Sequence, residues 1–223
     1  RKNEVLGLVG ETGCGKSTIA RTMLLMNPIT EGEIVFQGVR VNDLHDKALL
    51  QYFSRVQMVW QDPFSCLNPR MKVGDIISRP LIRFRGYKKP QAMEKVREII
   101  RIAGLNENEL SHYPHEFSGG GRQRVVIARA LVSEPSFLIA DEPTSSLDVS
   151  IQAQILNLLK QLRESFDLTL LFISHNLAVI QFISTRIAVM YFGRIVEVMP
   201  KEDLFRKNYH WYTKRLIDAI PKG

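Results

Sequence analysis

Two cysteines in 223 residues, Cys14 and Cys66, are too few for a disulfide framework, and neither has a partner at metal-ligand spacing. A reducing compartment is the expected setting, and Cys14, inside a glycine-rich segment, reads as a small residue rather than a redox group. No run reaches the roughly 18 to 20 apolar residues a membrane-spanning helix needs. The best stretch, Leu168 to Ile183, is broken by Ser174, His175 and Asn176. The start does not read as a secretion signal either, because Arg1-Lys2-Asn3-Glu4 is followed by an apolar run only from Val5 to Val9. Internal repeats and low-complexity tracts are missing. A hydrophobic fraction of 45% beside 24% charge excludes disorder. This length suits one domain with an inserted lobe, burying roughly 70–75% of the unfolded surface.

The net charge of +7 is concentrated. Residues 79–101 hold Arg79, Arg83, Arg85, Lys88, Lys89, Lys95, Arg97 and Arg101 against Glu94 and Glu98, which accounts for six of the seven charges. Such a patch can meet nucleic acid, anionic lipid or an acidic protein, or can simply be a solvated face. Phe84 and Tyr87 are its aromatics, but it contains no nucleic-acid motif. Solvation is the first expectation, a membrane-protein partner the second, and nucleic acid the last.

Glu4 to Val9 reads as a short buried strand, followed by a glycine-rich loop and a helix from about Ser17 to Met26. Further strands are expected at Ile34–Phe36, Val39–Val41 and Val56–Trp60, with Gly38 marking a turn. Beyond Gln61 the texture changes. Pro63, Pro69, Pro80 and Pro90 punctuate a region whose clearest element is a helix from about Gln91 to Ala103. From Phe137 the alternation returns, with strands at 137–140 and 168–173 and a helix bearing Ile151, Ile155, Leu158, Leu159, Leu162 and Phe166 on one stripe. A hairpin from Ile187 to Val198 turns at Gly193, and a last amphipathic helix runs from Trp211 to Ile220. This pattern predicts an α/β fold: a mainly parallel sheet covered on both faces. The expected division is a core of residues 1–61 and 134–223 with a helical insertion at 62–133.

Gly10-Glu11-Thr12-Gly13-Cys14-Gly15-Lys16-Ser17-Thr18 fits the P-loop pattern G-x-x-x-x-G-K-[ST], in its required place between a strand and a helix. The glycines let backbone N–H groups curl around phosphate oxygens, and the helix N-terminus adds partial positive charge. Lys16 is expected to reach the β- and γ-phosphates, and Ser17 to hold Mg²⁺. The strand 137–140 ends in Asp141-Glu142, which suits a metal-binding carboxylate followed by a general base that deprotonates water. Ser118-Gly119-Gly120-Gly121 opens another helix and offers a second anion site of the same backbone type. Two such starts in one chain imply either two distant phosphates or one nucleotide held between two copies.

In this order the motifs resemble the nucleotide-binding subunit of an ABC transporter over essentially the whole chain. The P-loop is residues 10–18, and Gln61 ends a strand as the family's Q-loop glutamine does. Phe117-Ser118-Gly119-Gly120-Gly121-Arg122-Gln123-Arg124 resembles the signature, Ser145-Ser146-Leu147-Asp148 the D-loop, and His175 the switch histidine. The resemblance implies a P-loop ATPase that uses ATP and Mg²⁺. It assigns Glu142, His175 and Gln61 to catalysis, and Ser17, Gln61 and Asp141 to the metal. The nucleotide falls to residues 10–18 together with Ser118, Gly119, Gly120 and Asp148.

Gln61-Asp62-Pro63-Phe64-Ser65-Cys66-Leu67-Asn68-Pro69-Arg70-Met71 and Asn208-Tyr209-His210-Trp211-Tyr212-Thr213 resemble oligopeptide and dipeptide importers, the former most like their second ATPase. That resemblance implies a head-to-tail nucleotide-binding dimer with a second ATPase subunit, favouring a different ATPase over a second copy of this chain, together with two transmembrane permease subunits and an extracellular peptide-binding protein. It places the chain peripherally on the cytoplasmic face of the cell's inner membrane, with no nucleic-acid partner. A soluble ABC ATPase acting on nucleic acid or ribosomes, or a weakly hydrolysing subunit, is the alternative. The chain departs from the pattern at Gly121, where the signature usually has Gln, and at Trp211, where proline is usual. The family's N-terminal strands, with the aromatic that stacks on adenine, are expected to precede Arg1, and longer tails are expected beyond Gly223; adenine recognition is assigned to no residue.

Overall fold

The computed structural model describes residues 2–205 and 210–219. Asn208, Tyr209 and Ile220, which figure in the sequence reading above, lie outside the described residues.

The chain opens with β1 (Val5–Val9) and α1 (Lys16–Met23), then a small antiparallel hairpin of β2 (Val35–Phe36) and β3 (Val39–Arg40). Next come α2 (Asp46–Arg55) and β4 (Val56–Val59). From residue 63 to 131 every regular element is helical, with α3 (Pro63–Cys66), α4 (Val73–Arg85), α5 (Lys89–Ile102) and α6 (Gly119–Leu131) as the α-helices. The last third is β5 (Phe137–Asp141), α7 (Val149–Ser165), β6 (Thr169–Ser174), α8 (Leu177–Ile183), β7 (Arg186–Tyr191), β8 (Arg194–Pro200) and α9 (Trp211–Asp218). Among the described residues, no helix is long and apolar enough to cross a membrane.

The main sheet has strand order β4-β5-β6-β1-β7-β8, parallel throughout except for the β7–β8 hairpin. Its faces follow from the period-two alternation of strand side chains. Leu138, Ala140, Leu170 and Phe172 join one apolar cluster with residues of α4 to α8, while Ile139, Leu171 and Ile173 join another with Ala20 of α1 and Tyr52 of α2. β1 is central and covered on both sides, and Gly7 within it is obligatory by contact. A Cβ there would lie 2.2 Å from the Ser184 hydroxyl oxygen and 2.7 Å from the Ile180 Cγ2.

Four helices escape the sequence pattern, the short α3 and α8 and the longer α2 and α4. α2 carries Leu49, Tyr52 and Phe53 at helical spacing, but the run is short and mixed with polar residues. α4 continues through Pro80, which the pattern reads as a break. Pro80 is buried within an otherwise apolar face of Ile76, Ile77 and Leu81, and tertiary burial outweighs the lost backbone bond.

Half of the basic run is ion-paired on an exposed or half-exposed face. Lys89 meets Asp75, Lys95 meets Glu98 and Glu134, and Arg97 and Arg101 both meet Glu107. Arg85 donates to the Ser133 carbonyl. Arg79 and Arg83 instead line an apolar groove of about 750 Å³ with Leu49, Phe53, Trp60 and Phe84.

Candidate functional site

Parallel pairing brings four strand ends to one edge. Val59 is in register with Ala140, Asp141 with Ile173, and Ser174 with Val9, so whatever follows β4, β5, β6 and β1 converges. The C-terminal edge of such a sheet is where ligands bind in open α/β folds. The residues that follow are Gln61, Glu142, His175 and the P-loop, and all contribute to one cavity of about 620 Å³.

The loop after β1 is shaped by its glycines. Gly13 and Gly15 have φ of 85° and 106°, values that L side chains rarely adopt. Gly10 is pressed against β7 so closely that a Cβ would meet the Met190 carbonyl oxygen at 2.3 Å and the Cys14 Sγ at 2.7 Å. The backbone of this loop is tied at a distance as well. Glu11 N–H donates to the Tyr212 hydroxyl at 2.8 Å, and Gly193 N–H, in the β7–β8 turn, donates to the Cys14 carbonyl at 2.9 Å. Gly15 stands at the N-cap of α1 and offers no side chain, so no side chain competes for the helix's first N–H groups.

Lys16 is 5% exposed, and its ammonium group donates to the Gly10 carbonyl at 2.7 Å and the Glu11 carbonyl at 2.9 Å. Thr12, Gly13, Gly15, Lys16, Ser17 and Thr18 line the cavity. Gly10, Glu11 and Cys14 shape the loop from behind. The Ser17 hydroxyl donates to Asp141 Oδ1 at 3.1 Å. Burial pushes the Asp141 carboxyl above its ordinary range, the bond from Ser17 opposes this, Glu142 adds to the rise, and Arg21 and Lys16 pull it back. A buried carboxylate beside a hydroxyl is a hard-oxygen pair that suits Mg²⁺, whose charge would favour the ionised form. Among the described residues no cluster of three or more His, Cys, Asp or Glu offers an all-protein metal cage. A single carboxylate with a hydroxyl fits a Mg²⁺ that completes its shell with phosphate oxygens and water.

Glu142 has φ of 45° and precedes Pro143, a combination that is sterically costly for a non-glycine residue. It is held there by its N–H, which donates to the Ile173 carbonyl at 3.0 Å. Its side chain is gripped twice at Oε2: Gln61 Nε2 donates at 3.2 Å, and His175 Nδ1 lies 3.0 Å away. Strain of this kind, held in place by neighbours, is typical of a functional position.

The structure does not bring every candidate together. Ser118 and Gly120 line a separate concavity with Asn106, Arg124 and Gln154, and none of Ser118, Gly119 or Gly120 reaches the P-loop cavity. The Ser118 hydroxyl accepts from Gly121 N–H at 3.2 Å, capping its own helix. Asp148 is exposed at the N-cap of α7, and likewise outside the P-loop cavity. Conversely, Asp62 lines that cavity, as do Ser145 and Ser146 of the D-loop-like segment, although none of the three was assigned to nucleotide, metal or catalysis. The Tyr212 clamp had no sequence signal, because its partner is the backbone of a residue 201 positions away.

The family described as "ABC transporter" matches residues 1–145. The chain is 50% identical over 222 residues to the oligopeptide transport ATP-binding protein OppF of Bacillus subtilis, covering 99% of this chain and 73% of that protein. It is 48% identical to the dipeptide transport ATP-binding protein DppF of Lactococcus lactis, covering 99% and 72%. Among solved structures, the ATP-binding cassette MJ0796, in a dimeric post-hydrolysis state bound to ADP and Pi, superposes with a TM-score of 0.78 at 30% identity, covering 90% of this chain and 87% of that one. The protein cbiO1 of Clostridium perfringens, part of the ABC transporter complex cbiONQ, superposes with a TM-score of 0.82 at 25% identity, covering 93% and 81%.

Proposed function

The chain belongs to the ABC transporter family, and from that premise we propose that it is the ATP-hydrolysing motor subunit of an importer for oligopeptides or dipeptides. The observation that carries the reading is the single cavity in which the P-loop, the Ser17–Asp141 pair and a doubly held Glu142 meet. The names of the relatives supply the cargo class.

The curled N–H groups of residues 12–18 and the start of α1 bind the phosphates of ATP, and Lys16 exchanges the Gly10 and Glu11 carbonyls for β- and γ-phosphate oxygens. Ser17, Asp141 and Gln61 would hold Mg²⁺, which when bound would supply charge neutralisation at the phosphate oxygens. Glu142 orients a water in line with the γ-phosphate and accepts its proton, while His175 bonds the γ-phosphate itself. Ser118 to Gly120 face away from this nucleotide and cap that of an opposing subunit, the arrangement expected when two copies or two related ATPases close head to tail. Asp148 lies toward that interface. Closure then completes each site, since phosphoryl transfer depends on positioning and charge neutralisation.

Coupling to two membrane-embedded permease subunits runs through consecutive residues. Trp60 lines the apolar groove and Gln61 lines the ATP cavity. A permease segment seated in that groove would sense the γ-phosphate through one peptide bond. The chain then sits peripherally on the cytoplasmic face of the inner membrane, beside a different second ATPase, and an extracellular peptide-binding protein delivers cargo to the permeases.

Glu142→Gln tests the assignment. ATP affinity should remain within a few-fold, and turnover in the assembled transporter should fall by about 100-fold or more, as removal of a general base does. Near-normal phosphate release from that variant would reject Glu142 as the base.

A further inference from the structure

Gln123 lies in α6 with no exposed surface, and neither its Oε1 nor its Nε2 has a hydrogen-bond partner among the described residues. Buried side-chain amides are almost always bonded, so one with both ends idle calls for a physical explanation. Its neighbourhood follows from helix spacing. Gln123 is three residues from Gly120 and four from Gly119, and shares their face.

That face meets the connection from β5 to α7. A Cβ on Gly119 would lie 3.5 Å from Leu147 Cδ2 in that connection, and one on Gly120 would lie 2.6 Å from Ile151 Cγ2 in the first turn of α7. The connection begins at Glu142 in its left-handed conformation and ends at Asp148, whose side chain makes no capping bond to α7. The Asp148 side chain is exposed and its carbonyl accepts from Gln152 N–H at 2.8 Å, so the shortfall lies on the Gln123 side alone. A buried amide left idle beside a connection that starts from a strained residue is an interaction held in reserve for a second arrangement.

We propose that Gln123 is a positioning residue that locks the helix behind Ser118 to the 143–148 connection when nucleotide closes two subunits, its amide then bonding the backbone of that connection. The inference rests on the paired-ATPase reading above. It links the residue that caps the opposing nucleotide to the residue that activates water on this one. The idle amide disfavours the open state, and its satisfaction favours the closed one, so the group biases a two-state element rather than adding uniform stability.

The test replaces the amide by apolar groups of similar size, Gln123→Met and Gln123→Leu, in the full-length protein. Three results are expected. The thermal midpoint without nucleotide rises. ATP-driven association with the opposing subunit, measured in the Glu142→Gln background, weakens tenfold or more. In the hydrolysing background, kcat falls while KM for ATP stays within about twofold. A merely structural role would lower midpoint and turnover together. Association unchanged in both variants overturns the proposal, as does a midpoint lowered in both, the result expected if a trapped water already satisfies the amide. If the Gln123 protein itself fails to associate with nucleotide, the parent reading falls and this one with it. If it associates and the variants match it, only the role of Gln123 is lost.

Discussion

At Gly10 the phosphate loop is set by an absence of atoms. The Met190 carbonyl oxygen and the Cys14 Sγ occupy the space a methyl group would need. Because the nearer of these is backbone, Gly10→Ala cannot be relieved by a rotamer change. It should cost about 1–3 kcal/mol or more, read as a lower chemical-denaturation midpoint, and should weaken ATP binding by shifting the loop. A midpoint within experimental error of the parent protein would contradict the crowding. The convergence of Lys16, Ser17, Gln61, Glu142 and His175 on one cavity was legible in sequence because each follows or closes a strand in a spaced motif. The idle amide of Gln123 was not legible. Nothing in the string Arg122-Gln123-Arg124 distinguishes a solvated glutamine from one without exposed surface.

At the scale of elements, α1 and α2 are tied by one phenol. The Tyr52 hydroxyl donates to the Met23 carbonyl at the end of α1, and its ring packs edge-on against Phe36. Burial pushes its pKa up to about 12 from the ordinary 10. The neutral phenol is the form the fold favours. Its contribution is therefore complete below pH 10 and is lost as the pH rises through about 12. Tyr52→Phe should cost about 1 kcal/mol at neutral pH, chiefly the unpaired Met23 carbonyl. It should also flatten the loss of stability between pH 10 and 12, which denaturation series at several alkaline pH values would reveal. α2 went unread although Ala48, Leu49, Leu50, Tyr52 and Phe53 are apolar, because β4 begins at the very next residue, with no turn signal to separate a helix from the strand. The reading also stopped at Pro80, where local propensity points to a break but a buried face carries α4 onward.

For the whole molecule, the decisive relation is that the P-loop cavity and the Ser118 concavity are separate within one chain. If each pocket is shared, a cysteine at Ser118 should crosslink to one placed in the phosphate loop of the opposing ATPase, at the position equivalent to Thr12, only with ATP bound. Cys14 and Cys66 would be replaced beforehand, and the Glu142→Gln background would hold the closed state. A crosslink equally strong without nucleotide, or absent in both conditions, would contradict head-to-tail closure. The α/β class and the mainly parallel sheet were readable from the alternation of apolar runs. The strand order was not, since β1 pairs with β6 and β7, contacts that only folding reveals.

The central place of β1 has a consequence for biosynthesis. Its flanking strands span residues 169–191, and the phenol that fixes the phosphate loop is Tyr212. At roughly 5–20 residues per second of translation, the first strand and its loop wait on the order of ten to forty seconds for their neighbours. Throughout that interval the nascent chain carries a complete phosphate-binding motif that has nothing to hold it in shape. ATP capture is deferred until the strands beside β1 and the Tyr212 phenol have been made.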